Sequence, residues 1–319
     1  MKAGVWTSYG PPDVLQQQDL ERPTPKTNEV LVKVRAASIN SWDWELLSGR
    51  GHINLGGRLK PPHKILGCDI AGTVEDVGRK VTSFRPGDEV FGDISRDGWG
   101  GFAEFVCARE TSLSLKRSSL SFEQAAAIPQ AGGLALQGLR DKGKIRSGQQ
   151  VLINGAGGGV GTFAVQLAKS YGAEVTGVDR VEKLDMLLSI GADHVIDYGA
   201  EDFTRMGREY DLIIDIVSHR SVFEYKRALA PKGICVLIGG SGGAVFQSLL
   251  LGPWALGKRK VTLLVYKPNP LDLTLLSDAV ESGKVAPVID KRYPLSDVAE
   301  AFRYYAEGNV KGKIIIAIQ

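Results

Sequence analysis

Along the first 120 or so residues, short apolar runs alternate with turn formers. The pattern predicts half-buried β-strands over Glu29–Ile39, Asp69–Val77, Glu89–Gly92 and Ala103–Ala108. Arg85-Pro86-Gly87-Asp88 is a turn before Glu89, because Pro presets φ and Gly tolerates positive φ. Strands so spaced predict a small, partly open β-barrel. Ser121 and Gln124 read as a capping box that opens a helix over Phe122–Ile128, with Pro129 as its limit. Beyond residue 148 the period changes. Val151–Ile153 is a short, wholly apolar strand of the kind buried in a parallel sheet, and Val160, Ala164, Leu167, Ala168 and Tyr171 then share one helical face. Strands at Glu174–Asp179, His194–Asp197, Leu212–Val217 and Ile234–Ile238 follow, with helices at Glu182–Ile190 and Ser221–Ala230. This βαβ rhythm predicts a doubly wound parallel sheet. A helix carrying Val298, Phe302 and Tyr305 and a strand at Lys313–Ile318 end the chain.

Composition excludes several classes. Lys and Arg total 39 against 36 Asp and Glu, too even for a nucleic-acid or anionic-membrane surface. The three cysteines, Cys68, Cys107 and Cys235, lie far apart, so neither a disulfide framework nor a structural zinc is indicated. Met1–Trp6 runs directly into a strand-like pattern, and the longest apolar stretch, Ser248–Leu256, is far short of the roughly 18 residues of a membrane span. A cytoplasmic protein is expected. Glycine is the exception: 39 of 319 residues, well above the average of about 7%.

Part of that glycine has a function. After Val151–Ile153 comes Asn154-Gly155-Ala156-Gly157-Gly158-Gly159-Val160-Gly161, with Ala156, Gly158 and Gly161 at the spacings of the dinucleotide fingerprint. Such a turn brings bare backbone to a pyrophosphate at a helix N-terminus, where unpaired N–H groups and the helix dipole favour an anion. Asp179 ends the second strand, placed to accept the ribose hydroxyls of NADH. Arg180 and Lys183 beside it suit the 2′-phosphate of NADPH, and the residues alone leave the two cofactors open.

Gly67-Cys68-Asp69-Ile70-Ala71-Gly72-Thr73-Val74, Pro86-Gly87-Asp88-Glu89-Val90-Phe91-Gly92, Ala156–Gly161, Gly191–Tyr198 and Lys311-Gly312-Lys313-Ile314-Ile315 together resemble the motifs of medium-chain dehydrogenases/reductases. The nearest branch is the zinc-independent quinone oxidoreductases, zeta-crystallin-like and chloroplast-envelope-type. The resemblance implies a GroES-like domain over residues 1–122, completed by 267–319, and a Rossmann domain over 123–266. It implies NADPH as cofactor and a quinone or enone as the small-molecule partner. It places Ser38–Asp43 at the nicotinamide and acceptor, with Asn40 as the catalytic candidate and Trp42 and Asp43 in the pocket. It adds Tyr198, Val217, Ser218, Gly239, Gly240 and Lys313 to the cofactor residues Ala156, Gly157, Gly158, Gly159, Val160, Gly161, Asp179, Arg180 and Lys183. In the loop expected after Pro129, Leu134 stands where the family usually has Thr, and it joins Trp42 and Asp43 in the expected substrate pocket.

Zinc enzymes of the superfamily carry Cys three residues before an Asp and, later, Gly-His-Glu. Those positions here are Asn40 before Asp43, and Gly67-Cys68-Asp69, which leaves too few zinc-preferring donors, so no metal is expected. Without a Lewis acid, the acceptor must already be electrophilic, as a quinone or an α,β-unsaturated carbonyl is. A protein that merely holds NADPH and a reductase of enoyl thioesters are the alternatives. A hydrolase reading of Gly239-Gly240-Ser241-Gly242-Gly243 fails, because all four histidines precede Ser241 and that triad needs one after it. Pairing of two copies is expected along the edge strand Val261–Val265.

Overall fold

The computed structural model describes residues 1–49, 61, 63–240 and 257–319. Ser241, Gly242, Gly243, His52 and the apolar stretch Ser248–Leu256 lie outside the described residues. The chain forms two compact units: Met1–Gln130 with Pro268–Ser282 and Ile289–Gln319, and Ala131–Lys267 with Gly283–Val288.

The first leg of the chain contains β1 (Lys2–Val5), β2 (Gln16–Asp19), β3 (Glu29–Ser38), α1 (Ser41–Ser48), β4 (Asp69–Val77), β5 (Glu89–Asp93), β6 (Phe105–Arg109), β7 (Leu113–Leu115) and α2 (Phe122–Ala127). The capping box forms as the sequence predicts: Gln124 N donates to Ser121 Oγ at 3.1 Å and Ser121 N to Gln124 Oε1 at 3.0 Å. α2 ends at Ala127, before Pro129, as expected. A further helix, α3 (Pro129–Gln137), begins at that proline, whose fixed φ and missing N–H suit a first helical position. Gly132, Gly133 and Leu134 are therefore helical, not a loop.

The middle leg is β8 (Gln150–Asn154), α4 (Gly159–Ser170), β9 (Glu174–Asp179), α5 (Val181–Ser189), β10 (His194–Asp197), β11 (Tyr210–Asp215), α6 (Val222–Ala228), β12 (Leu229–Leu237) and β13 (Lys260–Leu263). The chain then returns through α7 (Pro270–Glu281), β14 (Ile289–Pro294), α8 (Val298–Ala306) and β15 (Lys313–Ala317).

In the first unit, seven strands form a sheet ordered β14-β15-β3-β4-β5-β7, with β6 also on β3. Its core gathers Val30, Val32, Val34, Ile70, Val90, Phe102, Phe302 and Ile316, drawn from both ends of the chain. The C-terminal leg is thus part of this unit: β15 pairs antiparallel with β3, Ile315 opposite Ser38. In the second unit the order is β10-β9-β8-β11-β12-β13 and every pairing is parallel. Counted within the unit, this is the 3-2-1-4-5-6 order of a dinucleotide-binding fold, whose ligand site lies at the carboxyl ends of the strands where the order reverses. That point falls between β8 and β11, beside the glycine-rich turn.

Candidate functional site

The turn after β8 divides its work among its glycines. Gly155 takes φ +82°, so the sharp bend falls one residue before the Ala156 that occupies the first fingerprint position. A Cβ on Gly161 would lie 2.3 Å from Gly155 O and 2.4 Å from Ala156 O, so only glycine lets α4 pack this close to the strand end. At Gly158 the nearest atom to such a Cβ is 3.7 Å away. The protein leaves that face open, and Gly158, Gly159 and Val160 are part-exposed at the start of α4, where helical geometry leaves the first N–H groups without intrahelical acceptors.

At the end of β9, Asp179 Oδ2 accepts Gly157 N at 2.7 Å, and Asp179 Oδ1 accepts Arg180 N at 2.9 Å and lies 3.6 Å from Lys183 Nζ. Asp179 and Lys183 are both buried, whereas Arg180 is exposed and donates through Nε to Tyr198 Oη at 2.7 Å. One carboxylate thus stands among two cations and a phenol. Past β11, Val217 is exposed and Ser218 buried, with φ +47°. Asp215 organises this turn, a role the sequence did not reveal. Its carboxylate accepts Asn154 Nδ2, Val217 N, Ser218 N and Tyr225 Oη at 2.7–3.0 Å. Gly239 and Gly240 follow β12, and a Cβ on Gly240 would meet Ser218 Cβ at 2.4 Å. Leu134 is buried in α3 of this same unit.

The remaining expected residues belong to the first unit and centre on a buried polar cluster. Asp43, fully buried in α1, accepts Asn40 N at 2.7 Å and Gly67 N at 2.8 Å, so it caps the helix and fixes the approach to β4. Trp42 is half-buried against the core of the unit. The Asn40 amide donates to Asp69 Oδ2 at 3.0 Å and to Cys68 Sγ at 3.4 Å, and its oxygen accepts from Lys313 Nζ. Lys313, expected at the cofactor, is buried here on β15, with Nζ 3.1 Å from Ile39 O and 3.8 Å from Asp69 Oδ2. Asp69 also accepts Gln130 N, and Gln130 Nε2 reaches Cys68 Sγ at 3.5 Å. Burial pushes the carboxyls of Asp43 and Asp69 up to about 7, although N–H donors and the Lys313 ammonium pull both down. Burial likewise raises the Cys68 thiol and lowers the Lys313 ammonium.

Residues 26–117 match the alcohol dehydrogenase GroES-like domain, and residues 190–316 match the zinc-binding dehydrogenase family. The 2-methylene-furan-3-one reductase of Solanum lycopersicum is 35% identical, aligned over 99% of this chain and 79% of its own. The NADPH-dependent alkenal/one oxidoreductase of Arabidopsis thaliana is 32% identical over 99% of this chain and 79% of its own. The solved quinone oxidoreductase from Coxiella burnetii superposes with a TM-score of 0.91 at 31% identity, covering 100% of this chain and 99% of that one. The chain belongs to the quinone oxidoreductase family of medium-chain dehydrogenases/reductases. It is an oxidoreductase with a GroES-like and a Rossmann unit.

The zinc named for one matching family can be tested against the residues present. Among the described residues, Cys68, Asp69 and Asp93 bring a thiol and two carboxylates within 4.8 Å of one another. They do not fit a zinc site. The sulfur faces two amide N–H donors, the thiol is held in its protonated range, and Asp69 already faces the Lys313 ammonium; zinc takes thiolate, imidazole or unpaired carboxylate. No helix among the described residues is long and apolar enough to cross a membrane.

Proposed function

We propose that this oxidoreductase is NADPH-dependent and metal-independent, and that it reduces quinones or α,β-unsaturated carbonyls. One observation carries the cofactor choice: the Asp179 carboxylate, which would repel a 2′-phosphate, is offset by Lys183 at 3.6 Å and by Arg180, which is fixed on Tyr198. When bound, NADPH supplies the hydride, and the acceptor ends with that hydride and one proton from solvent. The chain's own residues hold the pyrophosphate on the open Gly158 face and the start of α4. They seat the adenosine ribose among Asp179, Arg180, Lys183 and Tyr198, and the nicotinamide side along Val217, Ser218, Gly239 and Gly240, with Leu134 assigned to the substrate pocket. Of the first-unit residues expected at the acceptor, Asn40 and Trp42 are the candidates to meet it, while Asp43, fully buried with its oxygens on the Asn40 and Gly67 N–H groups, holds that segment in place.

Because no zinc polarises the carbonyl, only an acceptor that is already electrophilic fits, which favours quinones and enones over saturated ketones. The names of the relatives support this reading. The three cysteines are free thiols, which suits a reducing compartment, here the cytoplasm. A homodimer paired along β13, the terminal strand of the second unit's sheet, completes the reading.

The test is a panel of quinones and alkenals assayed with NADPH and NADH in parallel, with and without EDTA. NADPH should be preferred roughly tenfold or more, the worth of a charge-assisted phosphate contact, and EDTA should change nothing. Binding of NADPH without consumption of any acceptor would return the chain to a cofactor-holding role. Light scattering that finds a monomer would remove the dimer.

A further inference from the structure

The two positions that hold metal ligands in zinc dehydrogenases, 40 and 68, do converge in this fold, with Asn40 Nδ2 3.4 Å from Cys68 Sγ. What meets there is a closed hydrogen-bonded set. Asn40 donates to Asp69 and Cys68, Gln130 donates to both, and Ser38 Oγ lies 3.4 Å from Asp69. The cation that serves it is the Lys313 ammonium from β15, bonded to the Asn40 and Ile39 oxygens. Asp69, the first residue of β4, lies 3.8 Å from that ammonium, and the acidic groups whose field acts on it are Asp69, Cys68 just before β4, Asp43 in α1 and Asp93 at the end of β5.

We propose that Lys313 is the resident cation of this site, in place of a metal, and that it acts as a positioning residue by fixing the Asn40 amide and Asp69. The physical argument is one of charge. Buried carboxylates need a cation close by, and here the chain supplies one that cannot exchange with solvent. The same ammonium fixes which way the Asn40 amide faces. Its oxygen is held by Nζ, so its N–H groups must point at Asp69 and Cys68, and the Ser38–Asp43 segment is held with them. Lys313 then acts on turnover without touching NADPH, in contrast to the cofactor contact that the family resemblance implies.

The inference rests on the reductase reading for its kinetic arm only. Wild-type protein dialysed against zinc and then against buffer should carry well below one zinc per chain by elemental analysis. The Lys313→Met variant should lose roughly 10- to 100-fold in kcat, the usual loss when a supporting partner is removed, while its NADPH Kd by fluorescence titration stays within about threefold. Because Met leaves Asp69 buried without its cation, Asp69→Asn with Lys313→Met should recover thermal stability relative to Lys313→Met alone. If the single variant does not fold, that double variant carries the test. Stoichiometric zinc in the wild type, a tenfold rise in NADPH Kd with kcat unchanged, or strictly additive stability losses would each overturn the proposal. A wild type inactive on every acceptor would defeat the reductase reading, and the zinc and stability arms would still judge Lys313.

Discussion

The carboxylate of Asp179 receives the main-chain N–H of Gly157 at 2.7 Å, so the acid at the end of β9 is bonded directly to the glycine-rich turn after β8. Substitutions here should separate the two cofactors. Asp179→Asn removes the charged acceptor for the ribose hydroxyls and should raise KM for NADH roughly tenfold, with a smaller change for NADPH. Arg180→Ala should do the reverse, raising KM for NADPH roughly tenfold and leaving NADH nearly unchanged. Steady-state assays with both cofactors decide it, and parallel changes in the two would count against the assignment of the 2′-phosphate to Arg180.

Gly158 and Gly161 stand three residues apart and should fail in different ways. In Gly161→Ala the new methyl meets backbone oxygens at 2.3 and 2.4 Å, which cannot yield as a flexible side chain would. Such overpacking costs roughly 1–3 kcal/mol and should lower Tm by several degrees. In Gly158→Ala the nearest atom is 3.7 Å away, so Tm should hold while NADPH affinity falls about tenfold, the methyl standing where the pyrophosphate must approach. Scanning fluorimetry with and without NADPH separates the two outcomes.

These glycines were legible because their signal is local: a strand, a turn and a helix within about 20 residues. The parallel sheet was legible for the same reason. α3 was not, since Pro129 reads equally as the end of one helix and the beginning of the next, and only packing decides. The Asn40–Lys313 contact joins residues 273 apart, and no period or spacing reports such a pairing. Asp69 was visible within a family motif, but its role depends on Lys313 and Gln130 reaching it from separate elements. Asp215 looked like the polar end of a strand, because the four donors that converge on it come from three segments.

The buried cluster should leave a mark on stability against pH. Asp43 and Asp69 are pushed up to about 7, whereas an unfolded aspartate titrates near 4. Between those values the folded protein holds protons that the unfolded chain has released, so this contribution is full below about pH 4 and is lost as pH rises through 7. Carboxyls held below their usual range, such as Asp193 and Asp202, gain their stabilisation with rising pH, but that gain is complete by about pH 5. Tm should therefore decline from about pH 5 to 7, and Asp69→Asn should flatten the decline. A Tm that climbs across this window in the wild type would contradict the burial of two protonatable carboxyls.

Asp215 should prove to be the residue that holds the turn beneath the cofactor. It is fully buried, and its carboxylate accepts from Asn154, Val217, Ser218 and Tyr225. Ser218, strained at φ +47°, is kept in place by Asp215: its N–H donates to Asp215 Oδ1 and its hydroxyl to Asp215 O, at 2.7 Å each. Tyr225→Phe takes away one of four donors and should cost roughly 1–2 kcal/mol, with NADPH KM little changed. Asp215→Ala leaves buried donors without their acceptor and frees the turn, so both Tm and NADPH affinity should fall, the latter tenfold or more. Should Asp215→Ala lose stability yet bind NADPH like the wild type, the turn does not seat the cofactor, and Val217 and Ser218 leave the site.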